Sequence, residues 1–349
     1  MKLDCSTQYL AVPGEKAPSL PEVEPKCQPR LYEFLMKEKG GDASKIGPYT
    51  KRSSRNNWAE SIEHIVREKS PPHFYATYDV SSVQGTDFHE YTYTEFPAGG
   101  VYICTQSREI NCRLQDFAAK EESGKAGEEA LEKFINAFAD KYVLNELPEK
   151  YKNIDDIIFL PGHNLLDLAD LEIVERIIFE DPEAMIKPHP LTIPDVVQRI
   201  AGKMGWDRII DKDVSGAELL KNCKTVYTTT ASEFSITGTA LGKNVKNISV
   251  FSGEGAGVYL PFARIMTITQ RKEGIEAAQR KLGNILACKW SGLIFEFQDD
   301  YEERIDAYYK KSQELRELYK PLAQGRGLVD EAKKQKRPPL NLENNKPVA

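Results

Sequence analysis

Between Asp156 and Phe251 short apolar runs alternate with amphipathic segments, and no other part of the chain is patterned so regularly. DDIIFLPGH stays apolar until Pro161-Gly162. Leu168 to Phe179 follows, with Leu168, Leu171, Val174, Ile177 and Ile178 at helical spacing. AMIKPHP is a second apolar run, stopped by Pro188 and Pro190, and a helical stretch starts after Pro194 and ends near Gly205. DRIID, KTVYTTT and NVKNISVF are the third, fourth and fifth runs. The helical AELLKN after Ser215-Gly216, and a helical stretch through Leu241, separate them. Strands and helices joined by short connections predict βαβ units and a parallel sheet.

Ligands bind outside the carboxyl ends of the strands in such sheets. Three polar clusters fall there: Gly162-His163-Asn164, Lys187-Pro188-His189-Pro190, and Thr228-Thr229-Thr230 with Ser232-Glu233. The third cluster opens a helix, whose unpaired N–H groups and positive dipole end suit a phosphate. A lysine, a histidine and a hydroxyl-rich helix start on one rim predict a phosphate-ester site.

The flanking pattern is less regular. Prolines 13, 18, 21, 25 and 29 make residues 1 to 30 an extended lead-in. Leu31 to Lys39, closed by Gly40-Gly41, and Trp58 to Lys69, closed by Ser70-Pro71-Pro72, predict short helices. HFYATYDV, FHEYTYTEF and GGVYICTQ are aromatic and β-branched, hence strands. Leu114 to Lys120 and Glu128 to Tyr142 are helical, the latter with Leu131, Phe134, Ile135 and Phe138 on one face. After Phe251 the glycine-rich Ser252 to Gly257 is either a close backbone approach to a ligand or a plain exposed turn. Lys272 to Leu286 and Tyr301 to Leu322 predict helices, and the tail from Lys333, basic and then rich in proline and asparagine, predicts disorder. Lys51, Arg52 and Arg55 form a compact basic cluster, either a solvated loop or a contact to an acidic acceptor.

Composition narrows the classes. A chain of 349 residues admits two domains, and 40% hydrophobic with 29% charged residues marks a globular protein. No apolar run approaches the roughly 18 residues of a membrane span, and Asp4 stands where a signal peptide needs a basic start and an apolar core, so a cytoplasmic location is expected. The six cysteines, at 5, 27, 104, 112, 223 and 288, lack CxxC spacing, which speaks against zinc and for reduced thiols. A net charge of −6 gives no general attraction to nucleic acid and leaves only local basic patches for it.

KPHP at 187–190 and TTTASEFSITGTALGK at 228–243 together resemble the C-terminal half of GT-B glycosyltransferases, nearest to the bacterial sialyl-, polysialyl- and Kdo-transferases. Those enzymes carry a His-Pro motif and a downstream Ser/Thr–Glu motif, and the resemblance spans roughly residues 155 to 255. It implies that His189-Pro190 and the run Thr229, Thr230 and Ser232 contact the phosphate of a nucleotide sugar, with Lys187, Gly162 and His163 on the same rim. His163 reads equally as an ordinary loop histidine. Glu233 matches the family's acidic residue, or is a first-turn carboxylate favoured by the helix dipole.

The implied fold is α/β, two-domain and GT-B-like, with a parallel-sheet, Rossmann-like nucleotide-sugar-binding C-terminal half. Residues 1–150 form the acceptor-side domain, 151–290 bind the nucleotide sugar, and 291–349 supply C-terminal helices that cross back and a tail. The implied activity is metal-independent transfer of a CMP- or UDP-linked sugar to a hydroxyl on a glycan, a lipid-linked saccharide or a modified base in DNA, with no cofactor. The alternatives are a nucleotide-sugar epimerase or hydrolase and a non-catalytic nucleotide-sugar-binding module. Asp211-Lys212-Asp213 has the letters of a metal-binding DxD but lies in the nucleotide half.

Transfer requires stabilisation of charge on the leaving phosphate and removal of the acceptor's proton. His189, with an ordinary pKa of about 6.5, suits the first task. The family's Glu-Asp-Gly loop is absent, so the base is sought among Asp79, Asp87, Glu95 and Glu109 near the ends of the early strands. Asp87 comes first, because Gly85 permits a bend towards a substrate, and Glu95 second.

Overall fold

The computed structural model describes residues 91–319 except 106, 139, 141–143, 163–168, 191, 193, 250–258 and 296. The helices expected at 31–39 and 58–69, the HFYATYDV strand, the basic cluster at 51–55, Asp79, Asp87, His163 and the glycine-rich loop lie outside the described residues.

The alternating stretch folds into four parallel strands: β3 (Asp156–Phe159), β4 (Met185–Lys187), β5 (Thr225–Thr228) and β6 (Asn244–Asn247). Two antiparallel strands precede them, β1 (Tyr91–Phe96) and β2 (Gly100–Thr105). The parallel order is β4-β3-β5-β6, with Ile157 opposite both Met185 and Val226, and Val226 opposite Val245. Ile209, from the DRIID run, adds a single parallel bridge to Ile186 on the outer side of β4. Counted along the chain, the spatial order is therefore third, second, first, fourth, fifth. This is the doubly wound order, whose direction reverses between β3 and β5.

Successive side chains of each strand face opposite layers. Ile157 and Phe159 join Val226, Val245, Leu219 and Leu220 on one side, while Ile158 and Leu160 join Ile186, Val174, Ile177 and Ile200 on the other. The helices that supply these partners begin where the sequence provides caps. Asp170 accepts from the amides of Glu172 and Ile173 to start α3 (Leu171–Glu180). Pro194 opens α4 (Pro194–Met204), and Ser215 accepts from the Glu218 amide to start α5 (Gly216–Asn222). α6 (Phe234–Ala240) follows β5.

The second sheet is antiparallel, in the order β1-β2-β7, with β7 at Leu293–Phe295. Gly100 pairs with Phe295 and Tyr102 with Leu293, so residues from both ends of the described chain share one sheet. Helices α1 (Arg108–Ala118), α2 (Lys125–Ala137), α7 (Leu260–Glu273) and α8 (Ile275–Ala287) pack around it, and α9 (Tyr301–Leu318) is the last of the described elements. Their core is aromatic: Phe96, Tyr102, Phe134, Phe262 and Phe295 are all buried, and the Phe96 ring lies edge-on to those of Phe262 and Phe295. α2 and α8 meet at glycines; a Cβ on Gly283 would lie 2.7 Å from the Gly127 carbonyl oxygen. Ile236 and Ala240 of α6 belong to this aromatic core, so α6 is shared between the two sheets.

The helix expected over 272–286 forms as α8 and begins three residues later, at Ile275. Gly274, at φ 93°, ends α7 and begins α8. The helix expected from Leu114 starts earlier, at Arg108, because Ser107 accepts from the Ile110 amide. No helix among the described residues is long and apolar enough to cross a membrane.

Candidate functional site

The carboxyl ends of β3, β4 and β5 surround a cavity of about 210 Å³. This is the reversal point of the sheet, the place where the fold leaves a crevice. Leu160 to Gly162 line it from β3, Lys187 to Pro190 from β4, and Ala231 to Phe234 from the opening of α6. Asp140, Leu144, Phe159, Gly216 and Tyr259 complete the wall. The volume is below the roughly 300–1,000 Å³ of sites that enclose a drug-sized ligand, so it takes one part of such a ligand.

Lys187 is the residue the strand pattern least favours, a cation 3% exposed at the end of a buried strand. Its ammonium donates to the Pro188 carbonyl at 2.9 Å and the Lys212 carbonyl at 2.8 Å. Burial lowers its pKa to about 8, opposed by the neighbouring carboxylates of Asp140, Asp213 and Asp211. Lys212 in turn donates to the Thr192 carbonyl at 3.2 Å, which braces the loop after β4 against the one after Ile209. His189 is partly buried on the lining, its backbone held between two prolines, and its carbonyl accepts from the Thr192 amide at 2.9 Å.

Asp140 was not among the expected site residues. Its carboxylate accepts from the Ser215 hydroxyl and from the Ala217 amide, so it caps α5 while lining the cavity. Nothing local marks it, since its partners are separated from it by 75 and 77 positions. The floor needs a glycine: a Cβ on Gly216 would sit 2.9 Å from the Phe234 ring, which itself packs edge-on against Phe159 with centroids 4.5 Å apart.

The expected residues separate into three groups. Gly162, Lys187, His189, Pro190, Ser232 and Glu233 share the cavity wall. Thr229 and Thr230 are buried and absent from the lining; Thr230 bonds Ser249 through its amide and its hydroxyl, and the Thr229 carbonyl accepts from the Ser232 amide. Glu95 lies in β1 opposite Val101, in the antiparallel sheet, and Glu109 stands in the first turn of α1 in an exposed ion pair with Arg113.

The amides at the start of α6 differ from expectation. That of Phe234 bonds the Ser232 hydroxyl, that of Ser235 the Ser232 carbonyl, and that of Ile236 the Glu233 carbonyl. The turn closes on itself, so side chains rather than these amides face the cavity. Asp211 accepts from the Asp213 amide in a local turn, and among the described residues no group of three or more His, Cys, Asp or Glu is placed to hold a metal ion.

No protein-family model matches the chain, and no curated protein does. Among solved structures the chain is similar to one described as a UDP-N-acetylglucosamine 2-epimerase from Listeria monocytogenes, at 13% identity and a TM-score of 0.25. The match covers 46% of this chain, which spans about half (47%) of that structure's length. A likeness at that level carries no argument about activity.

Proposed function

We propose that this chain is a metal-independent glycosyltransferase of the two-domain GT-B kind. Residues 151–290 hold a nucleotide sugar, and residues 1–150 present a hydroxyl acceptor, a glycan or a modified base in DNA. The observation that carries this reading is Lys187, a buried ammonium fixed by two carbonyls at the reversal point of a doubly wound sheet, sharing one cavity with His189. A fold that buries a cation at a ligand crevice gains most when an anion fills the remaining donor position.

In the proposed reaction the bond from the anomeric carbon to the phosphate oxygen breaks as the acceptor oxygen attacks that carbon. Lys187 and His189 stabilise charge growing on the leaving phosphate, and the acceptor's proton passes to a carboxylate, with Asp87 and Glu95 the candidates from the first segment. A second reading, hydrolysis or epimerisation, is favoured by one observation: Asp140 and Glu233 line the same cavity and offer acid–base groups without any acceptor.

The deciding assay is chromatographic release of CMP or UDP from its sugar, with and without acceptor, with and without a chelator. Acceptor-dependent, chelator-resistant release that falls on the order of a hundredfold in His189→Ala supports transfer. Release that needs no acceptor supports the second reading, and near-normal turnover in His189→Ala rejects the assignment of that residue.

A further inference from the structure

The cavity is more acidic than a phosphate alone would require. Asp140 and Glu233 stand in its wall against one lysine among the described residues, and Asp211 and Asp213 lie within electrostatic reach of that lysine. The Lys187 ammonium already donates to two carbonyls, which leaves one of its three N–H bonds for a ligand. One cationic donor position matches one anionic group.

The carboxylates suit a different partner. An ionised carboxylate offers about four acceptor directions. Asp140 uses one for the Ser215 hydroxyl and one for the Ala217 amide, so each oxygen keeps capacity for another donor. Sugar hydroxyls are such donors, and the rings of Phe159, Phe234 and Tyr259 give the same wall an apolar surface for a sugar's C–H face.

Resting on the phosphate-ester reading above, we propose that the site selects a neutral, polyhydroxylated sugar and rejects one bearing a carboxylate. The phosphate meets Lys187 and His189, the hydroxyls meet Asp140 and Glu233, and a second anionic group meets like charge in a partly enclosed cavity. Repulsion of that kind is worth on the order of tenfold or more in affinity. Acid sugars such as sialic acid and Kdo are thereby disfavoured, and a neutral hexose or pentose carried on a phosphate ester is the class of donor that fits.

The test is calorimetry on the full chain with glucose 1-phosphate and glucuronic acid 1-phosphate, which differ only in whether carbon 6 is a hydroxymethyl or a carboxylate. The expected result is at least about tenfold tighter binding of the neutral sugar, with the ratio shrinking severalfold in Asp140→Asn. Asparagine keeps an oxygen for the Ala217 amide, and Glu233→Gln, which leaves the α5 cap untouched, repeats the test should Asp140→Asn unfold. Equal or tighter binding of the acid sugar, or a ratio unmoved in the folded variants, overturns the neutral-sugar proposal and leaves the phosphate-ester reading standing. Binding of neither compound overturns both.

Discussion

β3 and β5 of the parallel sheet are each followed by a helix that returns the chain to a neighbouring strand, whereas β2 and β7 of the antiparallel sheet come from opposite ends of the described chain. The two regions also treat polarity differently. The antiparallel region closes an aromatic core in which Phe96, Phe134 and Phe295 interlock. The parallel region leaves a crevice at its carboxyl edge and buries a lysine there. One region is built for cohesion and the other tolerates a buried charge, and α6, packed into both, transmits the stability of the first to the site in the second.

Breaking the cohesive region has the largest expected effect. Phe295→Ala removes a fully buried ring from the centre of the aromatic cluster and should lower stability by about 3–5 kcal/mol. Because α6 is common to both cores, amides of β2 and β5 should lose hydrogen-exchange protection together, while the protein that remains folded binds ligand normally. Loss confined to β2 would show that the regions are energetically separate.

Lys187→Met should reverse that profile. Ligand affinity falls on the order of a hundredfold. Stability stays within about 2 kcal/mol, because relief of a buried charge opposes the loss of hydrogen bonds to the Pro188 and Lys212 carbonyls. Calorimetry and denaturant titration measure the two quantities. A large loss of stability with affinity preserved would assign Lys187 to the fold.

A third effect, reaching its full size only at the alkaline limit, is the pH dependence of that difference. The folded-state pKa of Lys187, about 8, lies below its ordinary value of 10.5. Between these values the unfolded chain binds more protons than the folded one, so stability from this group rises with pH. The penalty is fully present below about 8 and is relieved as pH approaches about 10.5, by at most on the order of 3 kcal/mol. Wild type should therefore gain on Lys187→Met as pH rises through this window in paired denaturant titrations. Affinity for a phosphate ester should fall over the same range as the ammonium is lost. A stability difference that does not change with pH would mean that Lys187 titrates normally.

The contrast between the regions also governs what could be read before folding was considered. Leu168 to Phe179 was legible as a helix, and α3 runs Leu171–Glu180, because the apolar stripe that faces Ile158 and Ile186 repeats at helical spacing within one segment. β3, β4 and β5 were legible because each is a short apolar run ended by proline or hydroxyl residues. α7 was not, since Pro261 in its first turn, after a glycine-rich stretch, reads as a break. β7 was not, since three residues carry no period and their partner β2 lies far away in sequence.

The site divides along the same line. The sequence by itself determined that Lys187, His189, Ser232 and Glu233 sit at strand ends on one rim, because βα alternation places every such loop at the carboxyl edge. Only the folded structure decided that Thr229 and Thr230 are buried off the cavity lining, that the first amides of α6 are already bonded, and that Asp140 joins the cavity. The α6 amides are closed by a local turn that the residue types alone did not reveal, whereas Thr230 and Asp140 depend on which distant groups the packed chain brings within about 3 Å, the reach of a hydrogen bond, and no local pattern encodes that distance.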